Sequence, residues 1–182
     1  MKSTPTAFSL PARILHWLMA VLVLAMLFIG VGMVASVSER HQWLIGLHKP
    51  LGIAILILVL LRLYVRWRYP APPLPADLPT WQRMGAYLSH SALYALMLAM
   101  PLVGWAMLSA GGYPITLGYG VQLPPIVPAG PALFSVLRYA HQYLAYLLFL
   151  TFLLHMGAAL YHGLIRRDGV LRSMMRGKRI EE

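Results

Sequence analysis

Residues 139–165 read YAHQYLAYLLFLTFLLHMGAALYHGLI, a run without one charged side chain. At about 1.5 Å of rise per residue such a run is long enough to cross a bilayer as a helix, which takes roughly 20 apolar residues. In lipid it has to be a helix, because every backbone amide must find its partner within the segment. Three histidines interrupt the run, His141, His155 and His162. An ionisable residue held inside a membrane is costly and marks a candidate functional position.

Working outward, charge is also absent from Ile14 to Ser38 and from Met84 to Leu137, and Pro50 to Leu61 is a shorter uncharged run. Four spans are expected, at 12–36, 46–66, 85–109 and 139–164. The chain of 182 residues is 59% hydrophobic and 11% charged, with a mean hydropathy of +0.68. A soluble domain carries about 25% charged residues. The expected fold is all-α, a transmembrane four-helix bundle forming a single membrane domain over residues 1–182. The first span exceeds the roughly 7–15 apolar residues of a signal peptide and reads as a retained helix, although Ala35-Ser36-Val37 resembles a cleavage region.

The net charge is +10. In a soluble chain that would suggest nucleic acid, but here the distribution of charge points to the membrane. Of the 15 basic residues, Lys2, Arg13, Arg62, Arg66, Arg68, Arg83, Arg166, Arg167, Arg172, Arg176, Lys178 and Arg179 fall on one side, and only Arg40, Lys49 and Arg138 on the other. The positive-inside rule then places both termini in the cytoplasm (N-in/C-in), with the connections 37–45 and 110–138 outside. Anionic lipid headgroups are the expected partner of the basic tail 166–182, and no nucleic-acid partner is expected.

The connection between the second and third spans holds Pro70, Pro72, Pro73, Pro75 and Pro79 and is expected to run extended. The loop 110–138 is rich in glycine and proline yet apolar (Ile115, Leu117, Val121, Leu123, Ile126, Val127), which predicts an ordered cap or a segment lying on the membrane. Pro101 is expected to kink the third span.

Cysteine is absent, which excludes covalent haem attachment, thiolate iron–sulfur ligation and disulfides. His141 and His155, fourteen residues apart, share a helix face to within about 40° and lie about 21 Å apart along the axis. One helix therefore offers an imidazole near each side of the membrane, as expected for two stacked haems. The second span enters from outside, which puts His48 level with His141. The first enters from inside, which puts His16 near the cytoplasmic side, level with His155 or with His162, seven residues further on and within about 20° of the same face. Two neutral imidazoles on one iron leave no position for substrate and suit electron transfer. Gly52, one turn after His48, would let a flat macrocycle approach the backbone.

Several segments resemble the bacterial cytochrome b561 family. They are Arg13-Ile14-Leu15-His16-Trp17-Leu18, His48-Lys49-Pro50-Leu51-Gly52 with Leu61-Arg62-Leu63, and His90-Ser91-Ala92-Leu93-Tyr94 running into Met100-Pro101-Leu102-Val103-Gly104-Trp105. His141-Gln142 and His155 close the series. The resemblance spans nearly the whole chain. It implies a four-helix cytochrome with two non-covalent b haems, one on His16 and His155 (selected over His162), the other on His48 and His141. Some members are superoxide oxidases that pass electrons to quinone, while related domains are cytochrome b subunits of nickel hydrogenases and other dehydrogenases. Close members can carry a second histidine one turn before the His90 position, where this chain has Tyr87.

Lys49 and Arg138 on the outer side are expected to pair with haem propionates or, together with Arg40, to attract an anion such as superoxide, and Arg13 is a candidate for the same role at the inner haem. His162, with Tyr161 and Trp17, is a candidate for a quinone carbonyl. His90 is expected to be a hydrogen-bond or propionate partner, and His41 a solvated loop residue. The expected function is electron transfer between an outer-surface donor, superoxide being the best guess, and a ubiquinone-type quinone in the bacterial inner membrane. The alternatives are a membrane-anchoring cytochrome b subunit that serves a peripheral dehydrogenase or hydrogenase, and a haem-free protein whose histidines relay protons or hold another metal.

Overall fold

The computed structural model describes residues 7–117 and 120–176. Lys2, Gly118, Lys178 and Arg179 lie outside the described residues. Helix α1 covers Leu10–Val34, α2 Glu39–Arg68, α3 Thr80–Ala110 and α4 Pro131–Leu160, which continues as a π-helical turn over Tyr161–Arg166. A short helix α5, Val170–Met175, follows. The four long helices are each apolar and long enough to cross a membrane. The protein is an all-α membrane bundle, and no strand occurs among the described residues.

Helices α2, α3 and α4 run further than the expected spans, because a charge ends an apolar run without ending a helix, while α1 is shifted by two residues. The expected connection 37–45 shrinks, since α2 already starts at Glu39, an acidic residue placed to complement the helix dipole. Pro131, in the first turn of α4, starts that helix eight residues before the expected Tyr139, where its missing N–H costs nothing. The loop expected over 110–138 is accordingly 111–130. Helices α2 and α3 pass through Pro50 and Pro101 respectively without ending.

Val23 of α1, Ile55 of α2, Leu96 of α3 and Leu148 of α4 meet in a buried cluster, flanked by Met26, Leu51, Met97 and Leu144. Outward-facing residues such as Val21 (64% exposed), Phe28 (68%), Ile57 (60%) and Leu154 (63%) cover the bundle with apolar side chains. A surface of this kind is stable in hydrocarbon and would aggregate in water.

The loop 111–130 folds back over the end of α3. Ile115 is buried there, Leu123 N–H donates to Ile115 O, Trp105 Nε1 donates to Pro124 O at 3.0 Å and Ile126 N–H to Ser109 Oγ at 3.2 Å. At the opposite end, left-handed backbone at Arg167 (φ 55°) and Gly169 (φ 83°) turns the chain back. Trp17 Nε1 then donates to Met174 O at 3.2 Å, tying α5 to α1.

Candidate functional site

The central cluster fixes where the histidines sit. His16 precedes Val23 by seven residues, His48 precedes Ile55 by seven, and His141 and His155 lie seven before and seven after Leu148. Seven residues are two helical turns, about 10.5 Å. The apolar cluster therefore separates two levels, each holding one imidazole from α4 and one from another helix.

At one level the ring centres of His48 and His141 are 6.1 Å apart and inclined at 70°. At the other, His16 and His155 are 6.2 Å apart, also at 70°. A metal–imidazole bond is about 2.0–2.1 Å. With a ring centre about 1.1 Å behind its nitrogen, two imidazoles ligating one ion from opposite faces would have centres about 6.3 Å apart. Both pairs come within about 0.2 Å of that figure.

The donor chemistry fits the same group. Among the described residues no cluster of three or more His, Cys, Asp or Glu offers a metal a protein-only coordination sphere. A facing pair of imidazoles suffices to hold a metal only where a macrocycle supplies the remaining donors, as in haem. The Nδ1 atoms of His48 and His141 are buried without a hydrogen-bond partner, a cost that a purely structural histidine pair would avoid. Gly104 of α3 completes this level: a Cβ there would stand 3.1 Å from His141 Cε1 and 3.4 Å from its Nδ1. The helix thus leaves the His141 ring room by omitting a side chain. At Gly52, expected to let a macrocycle approach the backbone, a Cβ would stand 3.7 Å from Met26 Cε, an ordinary contact distance.

The family profile described as prokaryotic cytochrome b561 matches residues 7–177. The chain belongs to the prokaryotic cytochrome b561 family. It is 31% identical over 167 residues to a protein of Yersinia pestis named probable superoxide oxidase CybB, covering 91% of this chain and 93% of that one. It is 30% identical over 179 residues to cytochrome b561 homolog 2 of Escherichia coli K12, covering 95% of this chain and 93% of the relative. To cytochrome b561 homolog 1 of the same organism it is 30% identical over 172 residues, at 92% and 96% coverage. As a cytochrome b561 it is a multi-pass membrane protein of electron transfer, with haem b as cofactor.

The remaining candidates of this cytochrome b561 are distributed as follows. The His90 ring centre lies 5.3 Å from that of His155, so α3 adds a third imidazole to the level of His16 and His155. His162 is turned away to Asp168, its Nδ1 donating to Asp168 Oδ2 at 2.5 Å. Trp17 stacks edge-on against His16 at 5.3 Å. Arg13 Nε is buried without a partner, Lys49 is half-buried and Arg138 exposed. His41 is not a solvated loop residue: it sits in the first turn of α2 with Nδ1 2.9 Å from Met33 O. A cavity of about 400 Å³ lies beside His162, lined also by Gly163, Arg167, Leu171, Arg172 and Met175.

Three residues of this site were not singled out in the sequence. Gly104 and Arg62 stood within segments that carry the family resemblance but were given no role of their own. Arg62 was otherwise counted among the basic residues, yet its position in an apolar helix was a usable signal. Asp168 was hidden in a basic tail. Burial raises the Asp168 pKa, but the hydrogen bonds from His162 and from Val170 N–H, with the neighbouring His162 and Arg166, outweigh that and hold the carboxyl below its ordinary 3.8. Arg166 is ion-paired to it, Nε to Oδ2 at 2.9 Å, and reaches Asp77 of the proline-rich connection at 2.7 Å.

Proposed function

We propose that this cytochrome holds two b haems, one on His48 and His141 and one on His16 and His155, and moves single electrons from a donor at the outer surface to a ubiquinone-type quinone. The observation that carries this reading is the pair of matched ring separations, 6.1 and 6.2 Å, on either side of one apolar cluster. The chain forms one membrane domain in the bacterial inner membrane, with both termini in the cytoplasm, as its basic residues favour.

Bound haem supplies one-electron chemistry, and the protein supplies position and electrostatics. His48 with His141, and His16 with His155, would hold the haem irons, and two imidazoles on one iron would leave it to carry electrons rather than to bind substrate. Arg13, with its buried unpartnered Nε, is the candidate for an inner propionate, and Lys49 and Arg138 for the outer one. The donor we favour is superoxide, because the outer side offers Arg40, Lys49 and Arg138 against Glu39 alone, and the name of the Yersinia pestis relative points the same way. The balance is two superoxide plus quinone plus two protons, giving two dioxygen and one quinol. His162, beside a cavity with the apolar walls Leu171 and Met175, is the candidate partner of a quinone carbonyl, and Trp17 borders the inner level.

The test is purified protein in liposomes loaded with ubiquinone and supplied with a superoxide-generating system. Quinol formation that depends on the protein and is abolished by catalytic superoxide dismutase is the expected result. Protein that holds both haems yet reduces no quinone would remove superoxide from the account and favour a subunit that serves a peripheral redox partner.

A further inference from the structure

We propose that Arg62 sets the direction of electron flow by holding a permanent, uncompensated positive charge against the inner haem site. This deepens the two-haem reading and rests on its pairing of His16 with His155. Arg62 lies on α2 inside the bundle, half-buried, within a helix otherwise apolar from Leu51 to Leu61. Its Nη1 donates to Ala12 O at 3.1 Å, its Nη2 lies 3.1 Å from His16 Nδ1, and its guanidinium carbon is 6.0 Å from the centre of the Tyr94 ring.

No carboxylate neutralises it among the described residues. Asp77 and Asp168 both pair with Arg166, and Glu39 is at the far end of α2. A guanidinium keeps its charge even when buried. Inside the bundle that charge is screened less than it would be at the aqueous surface. A positive charge stabilises the reduced, less positive state of a neighbouring iron centre and so raises its potential. The inference rests on the charge and not on the His16 hydrogen bond, whose form depends on which ring nitrogen carries the proton.

The outer level lacks an equivalent. His48 Nδ1 and His141 Nδ1 have no hydrogen-bond partner, and the cation nearest in sequence, the half-buried Lys49, makes no side-chain hydrogen bond or ion pair with either of them, whereas Arg62 bonds His16 directly. The asymmetry makes the inner site the easier to reduce, so that electrons entering outside run inward. Arg62 is a positioning and tuning residue, since it touches a ligand and not a substrate.

The test is a spectroelectrochemical titration of detergent-purified wild type, R62Q and R62K, with haem content measured on the same samples. The expected result is two haems throughout, a lowered midpoint potential for the inner haem in R62Q, little change in the outer one, and R62K close to wild type. R62M, which keeps an apolar stem, replaces R62Q if the latter loses the inner haem. Loss of that haem from both neutral variants but not from R62K also supports a role for the charge. Two haems with unchanged potentials in R62Q, or equal falls in R62Q and R62K, overturn this inference alone. A wild type without two haems overturns it together with the pairing on which it rests.

Discussion

If each imidazole pair holds a haem, as proposed, replacing Gly104 by alanine should damage the His48/His141 site (the outer one in that reading) while leaving the His16/His155 site intact. The new methyl would stand 3.1 Å from His141 Cε1 and 3.4 Å from Nδ1. Carbon atoms in good contact sit about 3.5–4.0 Å apart, so one of the two groups must yield by about half an ångström. Metal sites tolerate about 0.2 Å in their ligand distances, and the ring cannot absorb the whole displacement and still ligate well. Overpacking of this kind costs about 1–3 kcal/mol. Taken entirely from haem affinity, that is a loss of roughly 5- to 150-fold, at 1.4 kcal/mol per decade. The assay is haem per polypeptide, with the optical and electron paramagnetic resonance spectra of what remains, at limiting haem supply. Gly30→Ala is the control, because nothing lies within 4 Å of a Cβ there and alanine improves helix propensity. The reasoning is refuted if G104A binds haem as fully as G30A with the outer signal unaltered.

Other consequences concern the two ends of the bundle. The depressed Asp168 pKa means that its contribution to holding α5 is complete above the ordinary 3.8 and is lost as pH falls through the lower folded value. Hydrogen exchange over residues 170–176 should be unaffected by this group from pH 8 to about 5 and accelerate only below about 4, whereas D168N should exchange fast throughout. Gly111→Ala would place a methyl 2.7 Å from Tyr113 Cδ2 and 2.8 Å from Phe134 Cδ2, so the fold of the outer loop should weaken by about 1–3 kcal/mol, seen as a lower melting temperature with both haems retained.

How much of this could be read from the residues follows from what helical geometry fixes. The separation of His141 from His155 follows from residue counting within one helix. That His48 stands level with His141, and His16 with His155, follows from counting and alternating direction across the membrane. The choice of His155 over His162 did not follow from periodicity, which left both on one face. The π-helical turn at Tyr161–Arg166 and the return at Arg167 carry His162 to Asp168 instead. The helix ends at Glu39 and Pro131 lie outside the spans read from the sequence, because hydrophobicity marks where lipid stops and not where a helix is capped. His41 was read as loop for the same reason. Gly104 is tertiary information: its fit depends on the register of α3 against α4, which no single helix encodes. Arg62 shows the opposite case, where the signal, a charge in an apolar helix, was present but was used only in a charge count and a family-resemblance segment.

The central claim is two haems, each held by a named pair of imidazoles. Haem quantitation on the purified chain and on its single alanine variants tests it most directly. The account predicts two b haems per chain, loss of the same haem from H48A and H141A, loss of the other from H16A and H155A, and full content in H162A. One haem in the wild type, or a loss in H162A that H155A does not show, would contradict it.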